Sequence, residues 1–139
     1  MLVNSSNITT VIPHRAPFIM IDTLEMANEE RFIGTFHIKS DHLFLENKKL
    51  GEEALIESLA QTCAAGFGYL ATTRDEKGNG LGFIGAVSKL KVDGSVLLND
   101  SIKMEIKLLS SFDKIQLVEG LVYKKESIIL SCQMKIVTP

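Results

Sequence analysis

Disulfide chemistry has little to work with in this chain of 139 residues, which carries only two cysteines, Cys63 and Cys132. Two thiols exclude a disulfide scaffold and a zinc-type ligand set. Both lie in apolar segments, where a thiol is ordinarily a small buried hydrophobe. A reducing, cytoplasmic setting is the expectation. Neither sign of charge is in excess: 15 Lys and Arg stand against 17 Asp and Glu, a net −2, which excludes a global basic field for nucleic acid. No apolar run reaches the roughly 20 uninterrupted residues of a membrane-spanning helix, once Glu57 and Gln61 are counted in the one long candidate. Met1 to Thr10 is polar and lacks the basic start and apolar core of a secretory signal. There is no internal repeat, no nucleophile elbow and no P-loop string, and the histidines and cysteines lack metal-site spacing. The chain is therefore expected to act without a membrane segment, a nucleic-acid partner or a bound metal.

What is present fits one compact domain spanning residues 1–139. Hydrophobic residues make up 45% and mean hydropathy is +0.17, high for a domain this small. The excess points to a subunit interface or a lined tunnel. Ile102, Met104, Ile106 and Leu108 alternate with Lys103, Glu105 and Lys107, the pattern of a half-buried strand. Ile115 to Tyr123 and Ile128 to Val137 predict two more, and Arg31 to Ile38 another. Turn residues at Ser110 to Asp113 and at Asp93-Gly94 punctuate them, so the C-terminal half reads as an antiparallel meander.

Ala54 to Ala71 reads ALIESLAQTCAAGFGYLA, preceded by Gly51-Glu52-Glu53. Acidic residues at the start and the length predict a helix, and an apolar circumference makes it a buried one. One such helix with a largely antiparallel sheet gives an α+β domain in which a curved sheet wraps the helix. At about 100° per residue, Glu57 shares a helix face with Gln61, Ala64 and Gly68. Small neighbours leave room for a ligand to approach. Burial raises a carboxyl pKa, so such a Glu can hold a proton near neutral pH and act as an acid, oriented by Gln61. Pairing with a Lys, an Arg or a backbone group is the other reading of the same residues.

Ile12-Pro13-His14-Arg15-Ala16-Pro17-Phe18-Ile19-Met20-Ile21-Asp22 resembles the opening of the hotdog-fold 3-hydroxyacyl-acyl-carrier-protein dehydratases, where such a stretch runs into an apolar strand ending in Asp. Glu57-Ser58-Leu59-Ala60-Gln61 is similar to the Glu-Ala-x-Ala-Gln of that family's central helix. Phe83-Ile84-Gly85-Ala86-Val87 looks like the strand after the helix, and Asn99-Asp100 falls where the family has Gly-Asp. The resemblance implies a hotdog fold, a homodimer or larger hotdog oligomer with sites between subunits, and dehydration of a 3-hydroxyacyl thioester to the trans-2-enoyl product. No cofactor is implied, and the carrier is acyl carrier protein or coenzyme A. By resemblance Glu57 is the catalytic carboxyl, Gln61 its orienter, and the backbone at Gly51, Glu52 and Glu53 the donor to the thioester carbonyl. His14 and Phe18 line the approach, with Phe83, Ile84 and Gly85 beside the substrate.

The chain departs from that family where its catalytic His-Phe-Pro-Gly motif belongs. Ser40 to Gly51 lacks both prolines, and His42 stands one residue farther from the Glu than the motif places it. His42 is the candidate base, reaching a Glu of the other subunit. Such altered loops are similar to those of dehydratase-like proteins in specialised fatty-acid or aryl-polyene-type pathways. A thioester hydrolase and a non-catalytic subunit completing an active paralogue, as a heteromer, are the alternatives. Gly80-x-Gly82-x-x-Gly85 matches a dinucleotide fingerprint as a string, but a strand rather than a helix is expected after it. Arg15, Lys48, Lys49, Lys89 and Lys91 could rim a site for an acidic carrier, or be ordinary solvated cations.

Overall fold

The computed structural model describes residues 1–42, 44–73 and 83–137, with the backbone alone for Phe83. A 3-10 turn at Ile8–Thr10 precedes β1 (Thr23–Ala27), β2 (Arg31–His37), β3 (Leu45–Glu46) and β4 (Lys49–Leu50). The helix α1 (Glu52–Thr73) follows. The chain then forms β5 (Phe83–Val92), β6 (Val96–Leu97), β7 (Ser101–Phe112), β8 (Ile115–Lys124) and β9 (Ser127–Val137).

Six strands make one sheet in the order β1-β2-β7-β8-β9-β5, every neighbour antiparallel. The alternation seen in the sequence does the positioning: Phe32, Gly34 and Phe36 of β2 face inward opposite Ile106, Met104 and Ile102 of β7. α1 packs across β1, β2, β7 and β8, with Leu55, Leu59, Cys63 and Ala65 at most 2% exposed. A long buried helix wrapped by an antiparallel sheet is the hotdog arrangement. Both cysteines are free and buried, and burial pushes the Cys63 thiol far above its usual range. Among the described residues, no helix is long and apolar enough to cross a membrane.

Three expectations are corrected. β7 continues through Phe112 rather than turning at Ser110, because a bulge between Leu108 and Ser110 absorbs the irregularity; the turn is Asp113-Lys114. Phe18 to Asp22 is not a strand, since the Met20 N–H bonds a helix side chain and regular pairing starts at Thr23. The loop 40–51 contains a hairpin, β3–β4, whose two central residues Asn47 and Lys48 both have positive φ (53° and 63°). Without proline the backbone there keeps its donors, and β4 pairs with β6 in a small second sheet.

The N-terminal segment is drawn tightly onto α1. A Cβ on Gly68 would stand 2.3 Å from the Val11 carbonyl oxygen, so only glycine allows this approach. Val3, Ile8, Val11 and Ile12 are buried, and Val3 bridges Leu24 of β1. This packing delivers the stretch Pro13–Asp22 to the helix face that carries Glu57 and Gln61.

Candidate functional site

Gln61 is fully buried, and its amide organises the site. Its Oε1 accepts the Met20 N–H at 2.6 Å, while its Nε2 donates to the Phe18 carbonyl at 2.8 Å and to Glu57 Oε1 at 3.2 Å. Both amide hydrogens are engaged, so the amide cannot rotate without losing bonds. One helical turn before it, Glu57 is thereby held at the surface of α1. His14 Nε2 lies 3.5 Å from the same Glu57 oxygen. The segment carrying His14 is itself tied: Arg15 Nη1 donates to the Ile12 and His14 carbonyls at 2.8 and 2.7 Å. Arg15 therefore braces the turn rather than rimming a groove. Among the described residues, His14 Nδ1 is buried with no hydrogen-bond partner.

The sequestration expected for Glu57 does not hold within one chain: its side chain is 40% exposed. The N-terminal segment covers the Gln61 and Gly68 part of its helix face and leaves the Glu57 end partly open. Glu57 instead lines a cleft of about 230 Å³ with Phe18, Phe44, Glu53 and Ala54. That cleft shares Phe44, Glu53 and Ala54 with a wider groove of about 910 Å³ that includes Gly51, Glu52, Lys49 and Leu97. Gly51, Glu52 and Phe18 are thus brought to the Glu57 region. Glu52, Glu53 and Ala54 of the first turn of α1 line the wider groove, and the first turn of a helix carries N–H groups without intrahelical partners.

His42 is not brought to Glu57 within the chain. It lines a separate cleft of about 390 Å³ with Thr9, Ile19, Asp22 and Lys39. Its ring is tilted on Phe36 at 4.7 Å, and its Nδ1 accepts the Lys39 N–H at 3.0 Å. Burial holds its pKa below the ordinary 6.5, with Asp41 and Asp22 opposing. Leu43, beside it, lies outside the described residues. Ile84 and Gly85 belong to β5, at the far end of the sheet from β1, and line neither cleft; the side chain of Phe83 and residues 74–82, with Gly80 and Gly82, lie outside the description. Lys49 lines the groove, whereas Lys48 sits in the hairpin turn and Lys89 and Lys91 stand on β5. Among the described residues, no three His, Cys, Asp or Glu gather as metal ligands would.

Phe44 and the β3–β4 hairpin escaped sequence reasoning. The available signal was Leu45 to Leu50, two apolar ends around a polar centre, but Asn-Lys is a weaker turn pair than Asn-Gly.

The ApeP-like family (ApeP dehydratase) matches residues 6–139 of the chain. The 3-hydroxyacyl-acyl-carrier-protein dehydratase FabZ of Clostridioides difficile is 23% identical over 134 residues, 92% of each protein. FabZ of Bacillus cytotoxicus is 28% identical over 115 residues, 77% of this chain and 76% of that protein. In structure the chain is similar to the dehydratase heterocomplex ApeI:P from Xenorhabdus doucetiae, with a TM-score of 0.87 and 17% identity over 95% of this chain and 90% of that one.

Proposed function

The chain belongs to the ApeP-like dehydratase family, and from that premise we propose that it eliminates water from a 3-hydroxyacyl thioester to give the trans-2-enoyl thioester. The observation that carries this reading is Glu57, held by a buried amide at the mouth of a cleft walled by Phe18 and Phe44. A thioester acidifies its C2–H, and elimination needs one group to take that proton and another to protonate the departing C3 hydroxyl. We assign Glu57, which lines the cleft, one of these roles. Gly51, Glu52 and Glu53 at the start of α1 line the adjoining groove, and backbone N–H groups of that turn would stabilise charge growing on the thioester oxygen. The aromatic walls suit an acyl chain, and the wide groove suits the phosphopantetheine arm of acyl carrier protein or coenzyme A. Two histidines are candidates to share the proton work: His42, from a second subunit, and His14, from the same chain.

Assembly is part of the reading. β5 ends the sheet, and its residues Ile84, Val87, Leu90 and Val92 are 37–44% exposed. An apolar strand open on both faces and along one edge is a template for pairing. We assign it to a second copy of this chain, with a paralogous subunit as the competing occupant.

The decisive test offers the purified protein a 3-hydroxyacyl thioester on acyl carrier protein and follows the loss of water by mass spectrometry. Wild type is expected to form the enoyl product, and Glu57→Gln to lower the rate about a hundredfold or more with the fold intact. Release of free thiol would assign a hydrolase instead. An inert chain that becomes active on adding a paralogue would assign a non-catalytic subunit.

A further inference from the structure

We propose that the β7–β8 hairpin tips of two copies dock on one another across a two-fold axis, joining molecules already paired at β5 into an assembly of at least four chains. The inference rests on the assignment of β5 to a second copy and adds a separate contact surface. Its starting point is Phe112, 82% exposed and the most exposed large apolar side chain among the described residues. Phe112 pairs with Ile115, and Ile115 with Val137, so the three stand side by side on one face of the sheet. Ile115 and Val137 are 41% and 38% exposed. The face is the outer one. On β8 the even-numbered Val118, Gly120 and Val122 are the buried set, with Gly120 against Leu59 of the helix, and Ile115 alternates away from them.

The bulge in β7 is what turns Phe112 outward. Ile102, Met104 and Ile106 are buried on the inner face, and an unbroken alternation would send Phe112 in after them. The register shift between Leu108 and Ser110 instead sets Phe112 opposite Ile115. The middle of the outer face needs no cover, because its charged groups engage one another. Tyr123 Oη donates to Glu105 at 3.1 Å, Arg31 Nε lies 2.8 Å from the same carboxylate, and Lys107 lies 3.9 Å from Glu119. The apolar row at the end of that face is the part that gains by being covered.

Charge, area and position commit the row to a second copy. The turn Asp113-Lys114 sets one charge of each sign beside it. Across a two-fold axis each residue meets its counterpart in both directions, so Asp113 of either copy faces Lys114 of the other. A partner of one charge sign would satisfy only one of the two. The row exposes on the order of 300 Å² of apolar surface, against about 800 Å² per partner in a stable two-body interface. It is too small to hold two chains alone, and it suffices as a second contact between molecules already tethered. Val137 pairs with Phe83, the first residue of β5, so the row abuts the strand assigned to assembly. Each β5 pair carries two tips, and tip contacts therefore join pairs into even-numbered assemblies.

The test is the mass of the full-length protein by native mass spectrometry and sedimentation. Wild type is expected at an even multiple of 15.3 kDa of four or more. Phe112→Lys combined with Ile115→Lys should bring it down to two chains with unchanged circular dichroism, since both sites are exposed. Val87→Lys combined with Leu90→Lys should bring it to single chains. A wild type of two chains, or a tip variant with the wild-type mass, overturns the proposal and leaves the β5 reading standing. If the β5 variant remains paired and separates only when the tip substitutions are added, the β5 reading fails and the tip contact stands. The chain has no tryptophan, so Phe112→Trp reports the tip alone. Its emission should lie toward the blue in the assembly and move to the red when Ile115→Lys is added. Emission that turns blue only on adding acyl carrier protein, or vesicles of phosphatidylcholine and phosphatidylglycerol, gives the row to that occupant and overturns the proposal.

Discussion

The two ends of the main sheet solve the same problem in opposite ways. At the β1 end the chain covers itself: Val3 bridges Leu24, and Ile8, Val11 and Ile12 are buried against the helix and its surroundings. At the β5 end, Ile84, Val87, Leu90 and Val92 remain exposed and, among the described residues, no strand follows β5 in the sheet order. Covering an edge with one's own backbone fixes the covering segment in place, and at the β1 end that segment carries His14. An edge left open is available for pairing with another chain. The contrast teaches that the Glu57 region lies where the chain covers itself, and the exposed apolar strand where it does not.

The largest effect is expected at the open end. Val87→Lys combined with Leu90→Lys puts like charges into the proposed pairing surface, costing several kcal/mol of association. Sedimentation should show the assembly collapse to single chains of 15.3 kDa with unchanged circular dichroism. An unchanged mass would break the comparison. At the covered end, Gly68→Ala drives a methyl to 2.3 Å from the Val11 carbonyl oxygen. About 3 kcal/mol should be lost in urea unfolding, since backbone rather than a flexible side chain has to move.

A smaller effect belongs to His42, whose cleft includes Thr9 of the covering segment. Burial places its folded-state pKa below the unfolded 6.5, so the fold favours the neutral ring. That contribution is complete above 6.5 and is lost as the pH falls through the lower folded value. His42→Gln should therefore flatten the decline of stability on the acid side, measured by urea titration at successive pH values; an unaltered decline would remove His42 from the account. The smallest change is Lys48→Gly, in a hairpin belonging to neither end. Relief of the positive φ of 63° should raise stability by about 0.5 kcal/mol. A loss instead would mean that the hairpin is held by its side chain.

Much of the fold was legible because it is periodic. Ile102 to Leu108 and Ile115 to Tyr123 alternate with period two, and β7 and β8 pair along that whole length. Ala54 to Ala71 has one charge in 18 residues and lies within the buried helix. Irregular pieces were not legible in this way. Phe18 to Asp22 is apolar enough for a strand, yet a side-chain amide 41 positions after Met20 captures its N–H. The run of β7 past Ser110 depends on a bulge, and the β3–β4 hairpin on two residues adopting positive φ. The bulge and the hairpin are local adjustments that a period-two pattern does not register.

Residue order by itself determined the helix, the meander, and the placing of Glu57 and Gln61 one turn apart, because helical geometry converts a spacing of four into a shared face. Only the tertiary structure decided which histidine meets that face. His14 and His42 lie 43 and 15 positions from Glu57, and the more distant one arrives because Gly68 admits Val11 and Gln61 grips Phe18 and Met20. Such contacts are made between separate segments, whose proximity no local spacing encodes.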